Sequence, residues 1–163
     1  MAVSYRTEPV VKAGMVSAVI ASSEGEAGNG YGIAFCFTMQ ENQPYYYALV
    51  IARDGTYKVF KNEGGAAQQL TDWVEFPFAV DFNRPQLLGA SFVRDDIGMK
   101  IFLGLNGQML DEVIDPNPLD FGGFALIAAP QVLIKVSGVN VFSFEGKEKE
   151  ALDALTGALK EKE

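Results

Sequence analysis

Short β-rich runs, separated by clusters of Gly, Asn, Asp and Pro, recur along the chain and constrain its fold more than any other feature. Such spacing is typical of an all-β sandwich or barrel. Asp54-Gly55 stands between "YYYALVIA" and "TYKVFK", and Asn106-Gly107 stands between "GMKIFLGL" and "QMLDEVI". Both pairs favour tight hairpin turns, because Gly and Asn tolerate positive φ. We therefore expect residues 109–114 to pair back on residues 100–105.

The remaining runs complete an all-β pattern and lead into a tail of different character. Further strand candidates are residues 15–22, 31–39, 86–95, 124–129 and 136–145. The sequence therefore predicts one two-sheet antiparallel β-sandwich domain over residues 1–145. Residues 146–163 lose the aromatics and gain helix formers, with Leu152, Leu155 and Leu159 at helical spacing. We expect a short C-terminal amphipathic helix there.

Charge and composition exclude several classes of function. The net charge of −8 argues against a nucleic-acid partner or an anionic membrane surface. No apolar run is long enough to span a membrane. The chain has no histidine, which removes the commonest general base and the commonest zinc ligand. Cys36 is the one cysteine, and between Phe35 and Phe37 it is expected to be a small core residue.

The strand that begins at Tyr45 has apolar side chains on both faces. Strand alternation places Tyr45 and Tyr47 on one face and Tyr46, with small residues, on the other. In the preceding strand it places Phe35 and Phe37 together. The large residues are expected to build the core between the sheets. The smoother face could receive the C-terminal helix, a partner subunit or a ligand. Two interpretations of the tyrosines stay open, as core rings with hydroxyls at the rim or as a stacking platform.

Several motifs, taken in order, carry a family resemblance: "GNGYGIAFCF", "YYYALVIARDGTYKVFKNEGG", "LTDW", "DPNPLDFGGFALIAA" and "VNVFSF". Over residues 28–144 the chain resembles the concanavalin-A-like lectin/glucanase and laminin-G-like jelly rolls. It is most similar to bacterial domains classed as 3-keto-disaccharide hydrolases or as laminin-G-like modules of unknown function. The resemblance implies a jelly roll and favours a protein that is exported or held at the cell envelope. The first twenty residues lack the order of a signal peptide, so the chain is either cytoplasmic or follows a removed export signal.

The sequence departs from the chemistry of that family. Glucanases of this class carry paired acidic residues on one strand, whereas "VRDD" and "LDEVI" hold neighbouring acids that point to opposite faces. Legume-type lectins use a histidine in their metal sites, and this chain has none. The "DPNPLD" loop could bind calcium through Asp115, Asn117 and Asp120, or it could simply form a turn. We therefore predict no cofactor and no catalytic constellation.

The hypothesis that follows is a noncatalytic binding module, with carbohydrate as the expected ligand. Tyr45, Tyr47 and Trp73 are the candidate ligand-binding residues, although Trp73 could equally plug an edge of the sandwich. The alternative is a structural module that dimerises or docks through an apolar sheet face or the tail helix. A divergent glycoside-cleaving enzyme is a third possibility.

Overall fold

A computed structural model describes residues 2–160 of the chain; residues 161–163 of the predicted tail lie outside the described residues. Over residues 2–160 the chain forms twelve β-strands and one α-helix. In chain order these are β1 (Ala2–Val11), β2 (Gly14–Glu24), β3 (Tyr31–Gln40), β4 (Gln43–Ala52), β5 (Thr56–Glu63), β6 (Ala66–Gln69), β7 (Val74–Glu75), β8 (Gln86–Asp95), β9 (Gly98–Leu105), β10 (Gln108–Asp115), β11 (Gly122–Ala128), β12 (Leu133–Ser143) and α1 (Glu148–Lys160).

The strands form two antiparallel sheets, which confirms the predicted β-sandwich. The seven-stranded sheet has the order β1-β11-β3-β4-β5-β6, and β7 also pairs with β5. The five-stranded sheet has the order β10-β9-β8-β2-β12. The predictions did not include β1, because "AVSYRTEPVV" mixes charged residues and a proline into its alternation. It lies at the edge of its sheet, where such residues are tolerated.

Both hairpins marked in the sequence are present. The turn at Asp54-Gly55 joins β4 to β5. Asn106 and Gly107 have φ values of 54° and 79° between β9 and β10, as a type I′ turn requires. Residues 109–114 pair back on residues 100–104, as predicted, with a register shift between Met109 and Asp111.

Large side chains of β3 and β4 fill the space between the two sheets. Phe35 stacks on Tyr47 of its own sheet and on Phe92 of the facing sheet, with ring centroids 5.5 and 5.2 Å apart. All three side chains are fully buried. Burial of one such side chain contributes about 1.5–3 kcal/mol to stability, so this stack is a major part of the core. The core interpretation of Tyr47 and Phe35 is therefore confirmed.

A bulge in β3 changes the predicted alternation. The pairing of β3 with β4 shifts between Phe35 and Thr38, and Cys36 has a φ of 52°. Because a bulge inserts one extra residue into a strand, the side chains beyond it change face. Cys36 joins the core, where burial raises the pKa of its thiol to about 12. Phe37 lies instead on the outer face, so the prediction that Phe35 and Phe37 share one face is wrong.

The outer face of the seven-stranded sheet forms a small core of its own. Ala125, Ala34 and Ala48 are neighbours in one row across three strands. We call the rings on this face the aromatic row: Tyr5, Phe37, Tyr46 and Phe60, with successive centroids 4.7, 5.7 and 6.1 Å apart. Because alanine is short, the rings can close over these positions. Phe37, Tyr46 and Phe60, together with the alanines beneath them, are at most 5% exposed. The centre of this face is thus buried without a partner subunit, whereas Tyr5 on the edge strand is 50% exposed.

The predicted helix is present, but it packs on the other sheet. Helix α1 contacts β8 and β10 on the outer face of the five-stranded sheet. Leu155 there lines a cavity of about 230 Å³ together with Gly89, Phe102 and Gly104. The alternative in which the helix covers the smooth face of β3 and β4 is therefore wrong. Among residues 2–160, no helix has the length and apolar character needed to cross a membrane.

Gly107→Val should lower the free energy of unfolding by about 1–3 kcal/mol, because a β-branched side chain is strained at positive φ. Urea denaturation of the wild type and the variant measures the difference. Gly138→Val is the matched control, since Gly138 lies in β12 without a positive φ, and a Cβ added there would meet no atom within 4 Å. We expect the control to change stability by less than about 0.5 kcal/mol. Equal losses in the two variants would contradict the turn assignment.

Candidate functional site

Trp73 lies in the short segment between β6 and β7, and two attachments to β5 fix this segment. The N–H of Thr71 donates to the Val59 carbonyl at 3.1 Å, and the Thr71 hydroxyl accepts from the Val59 N–H at 2.9 Å. On the other side of Trp73, Val74 pairs with Tyr57. Trp73 therefore stands between two anchored points. Its side chain is 42% exposed, which is high for the largest apolar side chain.

A glycine allows the Trp73 ring to lie against the sheet. A Cβ at Gly30 would collide with Val50 Cγ1 and stand 3.1 Å from Trp73 Cη2, so no larger residue fits there without displacing them. The ring borders a pocket of about 190 Å³ at the outer face of the seven-stranded sheet. We call this the Trp73 pocket; it is lined by Gly28, Asn29, Gly30, Val50, Lys58, Phe60, Trp73 and Ala129.

The Trp73 pocket combines apolar walls with two polar side chains. Phe60, the last member of the aromatic row, forms one wall, and Trp73 forms another. The polar residues of the pocket lining are Asn29 and Lys58. The Lys58 Nζ lies 4.6 Å from the Trp73 ring centroid. A mostly apolar concavity with a few polar groups is the usual form of a small-molecule site.

The three candidate residues from the sequence do not share one site. Tyr47 is 0% exposed and its hydroxyl is engaged inside the protein, so its ring offers no surface to a ligand. Tyr45 is half-buried against the same core, and its hydroxyl lies close to Gly64. Trp73 alone borders a pocket on the outer face. Sequence reasoning missed Lys58 and Phe60, although alternation along "TYKVFK" places them together on the outer face.

A buried polar network joins the two sheets near Tyr47. Lys61 on β5 and Asp115 on β10 form an ion pair at 3.1 Å, and both side chains are 3% exposed. The Tyr47 hydroxyl donates to Asp115 Oδ2 at 2.7 Å and accepts from the Leu119 N–H at 2.9 Å. Burial, followed by the neighbouring Asp115, raises the pKa of Tyr47. The hydroxyl therefore stays protonated and keeps donating.

Each charge of this pair has further partners. Besides Asp115, the Lys61 ammonium donates to the Asn117 carbonyl at 3.0 Å and lies 3.7 Å from Glu63 Oε2. The second oxygen of Asp115 accepts from the Asn117 N–H at 3.0 Å. A buried ion pair is tolerated only when its remaining donors and acceptors are satisfied in this way. The network fixes the loop after β10 to the core.

This network also occupies the loop proposed for calcium. Both carboxylate oxygens of Asp115 accept hydrogen bonds from protein groups, and a lysine ammonium stands where a cation would have to approach. Asn117 and Asp120 are exposed beside it. In the described part of the chain, no group of three acidic, cysteine or histidine side chains is placed to hold a metal ion.

The acidic residues of β10 keep strand alternation, which places residues four positions apart on the same face. Asp111 and Asp115 both reach inward, since Asp111 accepts from the Tyr57 hydroxyl at 3.4 Å and Asp115 from Tyr47. Burial and then Asp111 raise the pKa of Tyr57 to about 12. Four residues along a strand set the two Cα atoms about 13 Å apart, and each carboxylate accepts from a different tyrosine hydroxyl. Glycosidase pairs need roughly 5–9.5 Å, so this arrangement does not supply one.

Comparisons with known proteins identify the fold. No protein-family model and no curated protein matches the chain. Among solved structures, the carbohydrate binding module CBM66 from Bacillus subtilis has a TM-score of 0.65 at 17% identity, over 86% of this chain and 82% of that one. Sheep galectin-11 has a TM-score of 0.59 at 11% identity, over 86% and 96% of the two chains. The Bacillus licheniformis beta-glucanase has a TM-score of 0.58 at 10% identity, over 83% of this chain and 68% of that one.

The chain has the concanavalin-A-like jelly-roll fold. This confirms the jelly-roll fold that the motifs implied. The jelly roll is shared by binding modules, lectins and hydrolases, so the site and not the fold must decide between these functions.

Lys61→Met should lower the free energy of unfolding by about 3–5 kcal/mol, because it leaves the buried Asp115 carboxylate without its counter-charge. The loss in Lys61→Met/Asp115→Asn should be clearly smaller than the sum of the two single losses. Chemical denaturation measures all three. Lys100→Met removes the more exposed Lys100–Asp95 pair and should cost at most about 1 kcal/mol. The coupled buried pair would be contradicted if the stability losses of Lys61→Met and Asp115→Asn simply added in the double variant. It would also be contradicted if Lys61→Met and Lys100→Met lowered the free energy of unfolding equally.

Proposed function

We propose that this protein is a noncatalytic carbohydrate-binding module that holds a sugar ring in the Trp73 pocket. The observation that carries the proposal is the exposed Trp73 ring, held rigidly beside a pocket on the outer face of the jelly roll. A large aromatic ring offers a flat apolar surface at low entropic cost. The face of a sugar ring presents C–H groups that such a surface can contact, while its hydroxyls need polar partners.

The polar groups of the pocket fit that requirement. Asn29 offers both a donor and an acceptor, and the Lys58 ammonium offers three donors. The pocket of about 190 Å³ lies below the roughly 300–1,000 Å³ typical of drug-sized ligands. It therefore suits one sugar unit, with the rest of a chain outside it. Tyr5, 50% exposed at the other end of the aromatic row, is a second candidate contact for such a chain.

Structural neighbours support a sugar ligand at the level of fold. They include the carbohydrate binding module CBM66, sheep galectin-11 in complex with glycerol, and a Ruminococcus gnavus sialidase module, CBM40. Hydrolases with the same fold are also among them. The wide spacing of Asp111 and Asp115 on β10 favours a noncatalytic function, like that of the binding modules among these neighbours. Export or attachment to the cell envelope, which the family resemblance implies, stays a prediction.

Binding can be followed through the protein itself, because Trp73 is the one tryptophan in the chain. A binding oligosaccharide should change the intrinsic fluorescence in a saturable way, since the ring reports directly on the pocket. A glycan array first selects candidate oligosaccharides. Trp73→Ala should then weaken binding at least tenfold by isothermal titration calorimetry, as expected for loss of about 1.4 kcal/mol.

The matched control is Phe142→Ala. Phe142 is 50% exposed on β12, in the other sheet, so its loss removes similar surface away from the pocket. The affinity of this variant should equal that of the wild type. If Trp73→Ala and Phe142→Ala bind any selected glycan equally well, the ligand does not use the Trp73 pocket. If no glycan binds at all, the carbohydrate proposal itself is overturned.

A second candidate function, self-association, is favoured by the edge where β1 and β12 lie. Val3, Tyr5 and Val10 of β1 and Leu133 and Phe142 of β12 are all at least 40% exposed. Both strands are terminal in their sheets, with one side unpaired. Exposed apolar residues next to unpaired strand edges favour association with another chain. We infer that a homodimer, if formed, uses this edge, where Tyr5 at the exposed end of the aromatic row also lies, and not the buried centre of the outer face.

Leu133→Lys should therefore shift a concentration-dependent dimer towards monomer, because it places a charge on the most exposed apolar residue of this edge, at 71% exposure. Light scattering over a range of protein concentrations measures the effect. Ile97→Lys is the control, since Ile97 is 56% exposed in the turn between β8 and β9. A wild-type protein that stays monomeric at every concentration would exclude this function.

A further inference from the structure

Lys58 is placed differently from the other paired lysines of the protein. Its Nζ lies 4.6 Å from the Trp73 ring centroid and 5.6 Å from that of Phe60. Lys12, Lys61 and Lys100 each lie within 4.0 Å of a carboxylate. Within residues 2–160, Lys58 makes no such ion pair. Its charge is thus directed at two aromatic rings in a pocket.

Within the described residues Lys135, Lys147 and Lys149 also make no ion pair, and Lys58 is set apart by lying over two aromatic rings. Lys58 is also the one charged residue among those that line the Trp73 pocket. The nearest acid along the hairpin, Asp54, accepts from the N–H and the hydroxyl of Thr56 through Oδ1, and its Oδ2 lies beside Gly28 of the pocket lining. The pocket therefore presents one positive group above an aromatic wall.

We propose that the Trp73 pocket recognises an acidic sugar, a uronic acid whose ring lies on Trp73 and whose carboxylate pairs with Lys58. This inference rests on the carbohydrate function proposed above and specifies its ligand class. Among residues 2–160 the contacts of this ammonium are the cation–π contacts with Trp73 and Phe60, and such contacts are weak at a partly exposed site. A carboxylate offers it a charge-assisted hydrogen bond, which is stronger. A ligand carboxylate therefore gains binding free energy from an ammonium group that is already in place.

The charge distribution favours one isolated carboxylate over a densely charged polyanion. A polysulfated or nucleic-acid chain needs a broad basic surface, and the net charge of −8 repels it. Lysine acts as a point charge, whereas two-pronged recognition of phosphate or sulfate groups is typical of arginine. One lysine beside one aromatic ring matches a sugar that carries one negative group on its ring.

The test compares ligands that differ only in the carboxylate. Oligosaccharides of glucuronic, galacturonic or mannuronic acid are titrated against the protein, each beside its carboxyl-reduced form, and Trp73 fluorescence is followed. At least one acidic form should bind about tenfold more tightly than its reduced partner. This preference should shrink as salt is raised from low to physiological concentration. Sulfated galactan oligosaccharides of the same length should bind more weakly than the preferred uronic acid.

Lys58→Met should remove the preference, so that the variant binds the acidic and the reduced forms with equal affinity, because methionine keeps an apolar stem over the Trp73 ring but carries no charge for the carboxylate. Lys135→Met, in β12 of the other sheet, is the matched control and should keep the preference. Equal binding of acidic and reduced forms by the wild type, or a preference that survives in Lys58→Met, overturns the acidic-sugar proposal. Loss of reduced-form binding in Trp73→Ala would still support the carbohydrate function. Tighter binding of the sulfated chain would replace the uronic acid with a sulfated ligand and overturn the proposal as stated.

Discussion

One extra residue in β3 determines how the aromatic side chains are shared between the two faces of the seven-stranded sheet. Because the bulge at Cys36 reverses the alternation, Phe35 stays in the core while Phe37 moves outward to stack between Tyr5 and Tyr46. The outer face then closes over its alanines without help from a second molecule or from α1. Phe60, at the far end of this aromatic row, supplies a wall of the Trp73 pocket. The aromatic row therefore connects the ring that the bulge turns outward to a wall of the candidate site.

The sequence predicted the sandwich well because its strongest signals are local. Asn106-Gly107 and Asp54-Gly55 specify turns whatever the rest of the chain does, and the leucine spacing of the tail specifies a helix. What the sequence could not decide was which surface each element covers. Leu155 could pack on either sheet, since both outer faces are apolar in places. The choice depends on tertiary contacts with Gly89 and Phe102, which lie far from it in sequence.

The candidate site was predictable only in part, and for a physical reason. Trp73 stood out as a single large aromatic residue, but Tyr47 stood out equally and proved to be a core residue. Its hydroxyl is satisfied by Asp115, 68 positions away, and no local pattern signals such a partner. Lys58, in contrast, did not stand out in the sequence. It resembled an ordinary exposed lysine of a strand, and its role in the pocket depends on the Trp73 ring brought over it by the β6–β7 segment.

The polar network of Lys61, Asp115 and Tyr47 makes the two long edges of the sandwich unequal. At the edge of β5 and β10, charged and hydroxyl groups tie one sheet to the other. At the edge of β1, β11 and β12 the sheets meet over a groove of about 430 Å³ with mostly apolar walls. Local opening follows the path that breaks the fewest buried contacts. Fluctuations of the native state should therefore spread the sheets apart from the β12 side, with the β5–β10 side as the hinge, and amide hydrogens of β12 should exchange with solvent before those of β5.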